Sequence, residues 1–282
     1  MRINTLLLLT LLTLASCTEE NIQEPEGFEY TDVGTPALIV VVDNNDRANQ
    51  QIEDIAFTSF QFETIAIFSD IFGVPQDSLM GKDLNRILDQ YGEPWQIREL
   101  QSVASSYYNK IVTLTDESAT SHDFIDSLQM LTDEGYSIDV VFALHGSDET
   151  ISFTDKSYPI SSMTNELDRK GIHIRTLYQT NCKSARAIDN WSYMGVAGCN
   201  GTQENNYLTI FSPSSFLKAW VSGSTYYDAV QFAYESEITT LKSYNNQLPI
   251  LDYLTSGDYL SGSTPIITGT NPLITKDMYF KE

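Results

Sequence analysis

The chain has 282 residues, enough for one large domain or two small ones with a buried core. It carries 38 acidic and 16 basic residues, so its net charge of -22 gives no general attraction to nucleic acid. Hydrophobic residues make up 41% of the sequence, which is too apolar for a disordered chain. Three cysteines are too few for a miniprotein that depends on disulfides.

Residues 1–17 have the pattern of a secretory signal peptide. Arg2 precedes an apolar run at 6–14, which is short for a permanent membrane anchor. The Leu-Ala-Ser-Cys sequence that follows resembles the lipobox of bacterial lipoproteins, and ends at Cys17. This resemblance implies cleavage before Cys17 and lipidation of that residue. An ordinary signal peptide that is cut nearby is the alternative.

Residues 18–35 are predicted to form a flexible acidic tether between that anchor and the folded domain. An acidic body is repelled by anionic lipids, so acyl chains rather than a basic patch would hold it at the membrane. Thr18 is not Asp, so the usual inner-membrane retention signal of lipoproteins is missing. The resemblance therefore implies a location in the cell envelope, at the outer membrane, on its periplasmic or its external face.

Residues 36–282 are predicted to form a single α/β domain. The apolar runs at 37–43 and 138–144 are typical of buried parallel strands. Further strands are predicted at 110–114, 172–178 and 193–197, and helices at 46–72, 83–91, 96–108, 122–134, 161–170, 214–220 and 225–237. Alternating strands and helices favour a mainly parallel sheet with right-handed crossovers. The segment 147–158 indicates a hairpin or loop, and the pattern is least clear in 241–282.

His145 and Cys182 each follow one of the predicted strands. If those strands are neighbours, both side chains emerge at the same edge of the sheet, where reactive groups collect in parallel sheets. An imidazole can take the proton of a thiol and later deliver it to a leaving amine. Gly146 has no Cβ, which lets a substrate carbonyl approach the backbone. The amides of Gly146 and Cys182 are predicted to form an oxyanion hole.

Four stretches of the sequence resemble the caspase-like fold of clan CD cysteine peptidases, which include caspases, gingipains, clostripain-like enzymes and legumain. They are residues 37–43 with the helix that follows, 111–146, 172–182 and 216–235. The resemblance spans about 36–237 and implies a three-layer caspase-like fold with a mainly parallel central sheet. It also implies an endopeptidase that acts on peptides or proteins, with His145 as general base and Cys182 as nucleophile. This chemistry requires no metal or organic cofactor, and the sequence leaves open whether the protein binds calcium.

Two features depart from that family. The residues around the nucleophile read Gln-Thr-Asn-Cys-Lys-Ser and do not meet the caspase signature. Thr180 stands where clostripain-like relatives often place an Asp that binds basic side chains, so specificity for Arg or Lys is not supported. In addition, Cys182 and Cys199 would be the two cysteines left after lipidation of Cys17, and a disulfide between them would block the nucleophile.

These departures leave two alternatives open. One is an inactive caspase-like lipoprotein that serves as a binding or scaffold module. The other is a flavodoxin-like domain whose His and Cys are coincidental, although the sequence has no Gly-rich phosphate loop.

The other titratable candidates are assigned to simpler roles. His122 opens a predicted helix and is expected to be exposed, and His173 is expected to be structural within a strand. Asp148, Glu149 and Asp155 either line a substrate cleft, bind a cation or belong to a solvated loop. The solvated loop is the preferred interpretation.

Overall fold

The fold is known from a computed structural model, which describes residues 30–32, 34–43, 57–82, 84–206, 210–243 and 262–280. The predicted signal peptide at 1–17, most of the predicted tether at 18–35 and the start of the helix predicted at 46–72 lie outside these residues. Within the described ranges, every helix is too short or too polar to span a membrane.

Strands and helices alternate along most of the described chain. The strands are β1 (Tyr30–Asp32), β2 (Pro36–Asp43), β3 (Lys110–Thr115), β4 (Ser137–Leu144), β5 (Gly146–Ser147), β6 (Thr150–Ser152), β7 (Ser157–Pro159), β8 (Thr176–Gln179), β9 (Gly198–Thr202), β10 (Pro265–Thr268) and β11 (Met278–Phe280). The α-helices are α1 (Phe57–Phe72), α2 (Gln76–Leu79), α3 (Leu84–Ile87), α4 (Glu93–Ala104), α5 (Ser121–Asp133), α6 (Ile160–Arg169), α7 (Ile188–Tyr193), α8 (Ser212–Val221) and α9 (Tyr226–Ser243). A π-helical turn (Leu88–Gly92) joins α3 to α4, and short 3₁₀ turns lie at Asp116–Ser118 and Ser184–Ala187.

Six of the described strands form one central sheet, in the order β3-β2-β4-β8-β9-β10. Neighbouring strands are parallel from β3 to β9, and β10 runs antiparallel to β9. The predicted fold class is confirmed: the sheet is mainly parallel, lies between helices and is consistent with a caspase-like fold.

The two faces of the sheet pack against different helices. Along β2, Ile39 and Val41 join a core that includes residues of α5, α6 and α7. Leu38 and Val40 point to the other face and join a core with residues of α4, α8 and α9. Burial on both faces explains why β2 is an unbroken apolar run, since neither set of alternating side chains meets water.

A small antiparallel sheet follows β4 directly, in the order β5-β6-β7. It occupies the segment that the sequence indicates as a hairpin or loop. Ser147 pairs with Thr150 across the tip of the β5–β6 hairpin, and β7 leads into α6. The small sheet therefore begins at the carboxyl end of β4, beside the candidate site.

The strand predicted at 193–197 is wrong. Tyr193 is the last residue of α7, and the strand that pairs with β8 is β9. Strand β9 contains Gly198 and Gly201, which the tertiary packing requires. A Cβ on Gly198 would lie 2.4 Å from the ring of Tyr226, and one on Gly201 would lie 2.7 Å from the main-chain nitrogen of Ala185. These glycines lower the β-propensity of the segment and hide it from pattern analysis.

The strand predicted at 172–178 begins later than expected, because pairing starts only at β8 (Thr176–Gln179). His173 therefore lies outside the strand and is exposed, which corrects its assignment to a strand interior. Arg175, the residue just before β8, turns inward, where it is 3% exposed and paired with Asp139. His122 is exposed, as predicted, and its Nε2 lies 3.5 Å from a carboxylate oxygen of Asp126.

The two ends of the described chain are paired with each other. Strand β1 runs antiparallel to β11, with Thr31 opposite Tyr279. The part of the predicted tether nearest the domain is thus a strand rather than a free linker. The segment 241–282, which has no clear sequence pattern, supplies β10 at the edge of the central sheet and β11 beside β1.

Candidate active site

His145 and Cys182 follow neighbouring parallel strands and stand at the same edge of the sheet. Strand β4 pairs with β8 in a register that places Phe142 opposite Gln179. The main-chain N–H of Thr180 donates to Phe142 O at 3.0 Å and extends the pairing. His145 and Cys182 each lie three residues beyond this last register pair, so both follow the carboxyl ends of adjacent parallel strands.

The thiol of Cys182 is half-buried and is hydrogen-bonded to the main chain of Asn206. The N–H of Asn206 donates to Cys182 Sγ at 3.3 Å, and the thiol donates to Asn206 O at 3.9 Å. Burial raises the pKa of the Cys182 thiol, and the Asn206 N–H and the charge of Lys183 offset this only in part. In this arrangement the sulfur is therefore a protonated thiol at neutral pH, not an activated thiolate.

Residues 203–206, here called the covering loop, lie against the segment that carries the thiol. The side-chain Nδ2 of Asn206 donates to Thr180 O at 3.1 Å, and the N–H of Lys183 donates to Glu204 O at 2.9 Å. Lys183 has a left-handed backbone conformation with φ of 55°, which turns the chain into the 3₁₀ turn that follows. The covering loop is thus held on both sides of the candidate nucleophile.

His145 is half-buried and continues the chain from β4 into the β5–β6 hairpin. Its main-chain oxygen accepts the N–H of Ser152 at 3.0 Å. Its imidazole makes no hydrogen bond to any residue that the structure describes, Cys182 included. The predicted dyad therefore has no direct hydrogen bond here, although catalytic hydrogen bonds are often loose until substrate binds.

Gly146 leaves its N–H outside the hairpin ladder. Gly146 lies opposite Ile151, and the neighbouring pair, His145 and Ser152, is hydrogen-bonded. Because hydrogen-bonded and non-hydrogen-bonded pairs alternate along an antiparallel ladder, Gly146 and Ile151 form a non-hydrogen-bonded pair. The N–H of Gly146 therefore points away from β6, as an oxyanion donor would require.

Gly146 is also required by packing. A Cβ at this position would lie 2.7 Å from Thr150 O and 2.8 Å from Asn181 Cβ. The space that the sequence analysis assigned to an approaching substrate is therefore filled by protein atoms in this arrangement.

Asn181 is a candidate site residue that the sequence analysis missed. It immediately precedes Cys182 and is 1% exposed, yet neither its side-chain oxygen nor its side-chain nitrogen has a hydrogen-bond partner among the described residues. A buried polar group without a partner costs about 1–3 kcal/mol. The only sequence signal for Asn181 was its position next to the candidate nucleophile. That position does not indicate whether its side chain has hydrogen-bond partners.

The hairpin tip is tied to the segment after Cys182 by charge. Asp148 Oδ2 accepts a hydrogen bond from Arg186 Nη1 at 2.6 Å, and Asp148 Oδ1 lies 3.5 Å from Lys183 Nζ. All three side chains are at least one-third exposed, so screening by water keeps each pair weak. Asp148 thus links the His145 and Cys182 segments across the candidate site.

The other two acidic candidates in this region have structural surroundings. Asp155 accepts hydrogen bonds from Ser121 N at 2.7 Å and Ser121 Oγ at 2.8 Å, at the beginning of α5. Burial acts to raise the pKa of Asp155, but these hydrogen bonds outweigh it and the pKa is lowered. Glu149 is exposed at the hairpin tip, in keeping with a solvated loop.

Three carboxylates near the end of β2 could hold a cation. Asp89, Glu93 and Asp116 each offer an oxygen within 4.8 Å of the others, and oxygen donors suit calcium or magnesium. Burial, followed by the charges of Asp116 and Asp43, raises the pKa of Asp89. Acidic clusters on protein surfaces are common without a metal, so the chemistry of these residues alone does not define a metal site.

A small pocket of about 20 Å³ lies beside the covering loop, enough for one water-sized group. Its lining includes Gln179, Asn200, Asn206 and Glu237. Glu237 is 1% exposed and accepts the N–H groups of Ile210 at 3.0 Å and Ser212 at 2.6 Å. Burial raises the pKa of Glu237 to about 7, against the effect of these hydrogen bonds.

Cys182 and Cys199 are both free thiols. Cys199 faces the core beneath α7, where its Sγ lies 3.9 Å from Ile188 O and 3.8 Å from Ser192 Oγ. Burial raises its pKa to about 12, so it is an inert core thiol. The disulfide considered for this pair is not formed in the structure.

Comparisons with known proteins add a structural likeness. No family model matches the chain, and no curated protein matches it. Among solved structures, it is similar to a secreted C11 cysteine protease from Bacteroides thetaiotaomicron, determined by X-ray in complex with an irreversible peptide inhibitor. The TM-score is 0.41 at 10% sequence identity, and the match covers 74% of this chain and 60% of that protease. This chain thus spans less than two-thirds of the length of that protein.

Proposed function

We propose that this chain is a lipid-anchored cysteine endopeptidase in which His145 and Cys182 form the catalytic dyad. The observation that carries the proposal is their matching position after two adjacent parallel strands, at the edge where such sheets place reactive groups. Cys182 is half-buried and free, and Gly146 next to His145 directs its N–H away from the hairpin. A nucleophile, a base and a donor are thereby supplied by two adjoining segments.

The reaction begins with release of the thiol from Asn206. His145 then takes the thiol proton, and Cys182 Sγ attacks the carbonyl carbon of the scissile peptide. As the Sγ–C bond forms, the carbonyl electron pair moves onto oxygen, where the N–H groups of Gly146 and Cys182 stabilise the charge. The C–N bond breaks as the imidazolium returns its proton to the amine. Water then hydrolyses the thioester with His145 as base.

The location proposed for this activity is the cell envelope, at the outer membrane. It depends on cleavage before Cys17 and acylation of that residue, as the lipobox resemblance implies. Labelling of cells with a clickable fatty acid tests this directly: wild-type protein is expected to be labelled and Cys17→Ser is not. Labelling of the Ser variant would remove the anchor from the proposal.

The activity is tested by cleavage of a peptide library by the reduced protein lacking residues 1–17. We expect cleavage by wild-type protein and a loss of at least about 10³-fold in Cys182→Ala. Cys199→Ser is the matched control and should retain activity, because Cys199 lies in the core. Equal cleavage by Cys182→Ala would mean that a contaminant or another residue is responsible.

A second candidate function is a non-catalytic binding or scaffold module. It is favoured by the bonding of the thiol to Asn206 and by the lack of a hydrogen bond from His145 to Cys182 within the described structure. This candidate predicts a folded protein with no cleavage of any library member, even after full reduction.

A further inference from the structure

Asn181 has a well-held backbone and an unsatisfied side chain. Its main-chain oxygen accepts hydrogen bonds from Ser184 Oγ at 2.9 Å and from Thr202 Oγ1 at 3.3 Å. Its side-chain amide is buried without a partner at either end among the described residues. The position of the amide is therefore fixed by its surroundings, while its hydrogen-bonding capacity is unused.

The amide lies against Gly146. A Cβ on Gly146 would be 2.9 Å from Asn181 Nδ2, which shows how closely the side chain approaches that backbone. By the register of the hairpin, the N–H of Gly146 points away from β6. Two N–H donors, one from a side chain and one from the main chain, thus adjoin each other next to Cys182.

Asn200 provides an internal comparison. It is 3% exposed, and its Nδ2 donates to Gln179 O at 2.8 Å. Its Oδ1 accepts Gln179 N–H at 2.9 Å and the hydroxyl of Tyr226 at 3.0 Å. Asn200 therefore stabilises the free fold through its amide, whereas Asn181 does not.

We propose that the Asn181 side chain is a third oxyanion donor, resting on the peptidase function proposed above. When Cys182 Sγ bonds to the substrate carbonyl carbon, the electron pair displaced onto oxygen is stabilised by Asn181 Nδ2–H together with the N–H of Gly146. Collapse of this intermediate re-forms the carbonyl and expels the amine, which takes its proton from His145. A donor aimed at the developing charge, rather than at the ground-state protein, is what lowers a reaction barrier.

Access to the amide requires a local movement of the β5–β6 hairpin. Gly146, the first residue of β5, lies directly against the amide. Strands β5 and β6 have only two and three residues, and exposed ion pairs of Asp148 hold their tip. Such a short element opens at low cost, so a substrate carbonyl that enters beside Cys182 can part Gly146 from Asn181.

The experiment compares Asn181→Leu with Asn200→Leu, which are matched in size and burial. Asn181→Leu is expected to melt at or above the wild-type temperature, because no hydrogen bond is lost. Asn200→Leu is expected to melt about 3–10 °C lower, because the main-chain N–H and oxygen of Gln179 lose their hydrogen bonds to the Asn200 amide. On the library substrate cleaved best by wild-type protein, Asn181→Leu should lose about 10²–10³-fold in kcat with KM changed less than about threefold. Asn181→Asp, which has the same shape but no N–H, should lose at least as much kcat.

Three results would overturn the inference. The first is a melting temperature of Asn181→Leu as low as that of Asn200→Leu, since the amide would then serve the fold. The second is a kcat of Asn181→Leu or Asn181→Asp within about threefold of wild type, since the donor would then be dispensable. The third is a wild-type protein that neither cleaves peptides nor reacts with a peptide electrophile at Cys182. The third result defeats the proposed function as well, whereas the first two leave it standing.

Discussion

Asp139 and Arg175 form a buried, bidentate ion pair near the amino-terminal end of β4, at the opposite end of the strands from His145 and Cys182. Arg175 Nε donates to Asp139 Oδ1 at 2.8 Å and Nη2 donates to Asp139 Oδ2, with both side chains at most 3% exposed. The remaining capacity of the carboxylate is used by three further hydrogen bonds, from Thr176 Oγ1, Tyr108 OH and Trp220 Nε1. Arg175 Nη1 also donates to Lys276 O at 2.6 Å, which ties the C-terminal segment to the sheet.

Removal of the arginine should therefore be costly. We expect Arg175→Met to lower the free energy of unfolding by about 3–5 kcal/mol, because Asp139 would be left as a buried, uncompensated charge. Urea unfolding followed by fluorescence measures this. Lys110→Met is the control, because its pair with Glu134 is partly exposed and should contribute about 1 kcal/mol or less. Equal losses in the two variants would contradict this account of the buried pair.

Glu237 should make the stability of the protein depend on pH. Its pKa is raised to about 7, so between its ordinary value and pH 7 the folded protein holds a proton that the unfolded chain has released. The stabilisation is thus present below that window and is lost as the pH rises through about 7, by up to about 3 kcal/mol. Unfolding free energies from pH 5 to 8 should fall more steeply for wild-type protein than for Glu237→Gln, which cannot ionise. Parallel profiles would show that this carboxyl titrates normally.

Gly146→Ala should disrupt the hairpin next to His145. The new methyl group would meet Thr150 O at 2.7 Å and Asn181 Cβ at 2.8 Å, so the hairpin must shift. We expect a loss of about 1–3 kcal/mol in unfolding free energy. Gly34→Ala is the control, since a Cβ there comes only within 3.9 Å of its nearest neighbour. A Gly146→Ala variant as stable as Gly34→Ala would mean that the packing here is looser than described.

The covering loop should limit the reactivity of the Cys182 thiol. Asn206→Ala removes the Nδ2 hydrogen bond to Thr180 O that holds the loop over the sulfur. Greater exposure should lower the thiol pKa, because burial is the main cause of its rise, and alkylation by iodoacetamide at pH 7.5 should quicken about three- to tenfold. Both proteins would lack residues 1–17 and carry Cys199→Ser, so that Cys182 is the single thiol followed. An unchanged or slower rate would show that the loop does not shield the sulfur.

The parts of the fold that sequence could predict are those with strong local patterns. Strands β2 and β4 are mostly apolar because both of their faces are buried, and the end of each apolar run also shows where the strand ends. The candidate residues His145 and Cys182 could be found for the same reason. Strand β9 was not predicted because its glycines are required by close contacts with Tyr226 and with the segment at Ala185. Both contacts come from other parts of the chain and leave no signal in the sequence of β9 itself.

The surroundings of the candidate nucleophile could not be predicted either. The contact between Cys182 and Asn206 joins residues 24 apart through a loop with no regular pattern. The lack of hydrogen-bond partners for the Asn181 side-chain amide could not be predicted either, because it does not produce any pattern in the sequence. Such features depend on how loops meet in three dimensions, which propensity and hydrophobic patterning do not encode.

The central claim is that the imidazole of His145 activates the sulfur of Cys182, and covalent labelling tests it most directly. The reduced protein is treated with a peptidyl acyloxymethyl ketone and the modified residue is identified by mass spectrometry. We expect one adduct, on Cys182, whose rate of formation falls at least about 10²-fold in His145→Ala and is unchanged in the exposed control His122→Ala. Labelling of Cys182 at the same rate with and without His145, or no labelling of a folded and reduced wild-type protein, would contradict the claim.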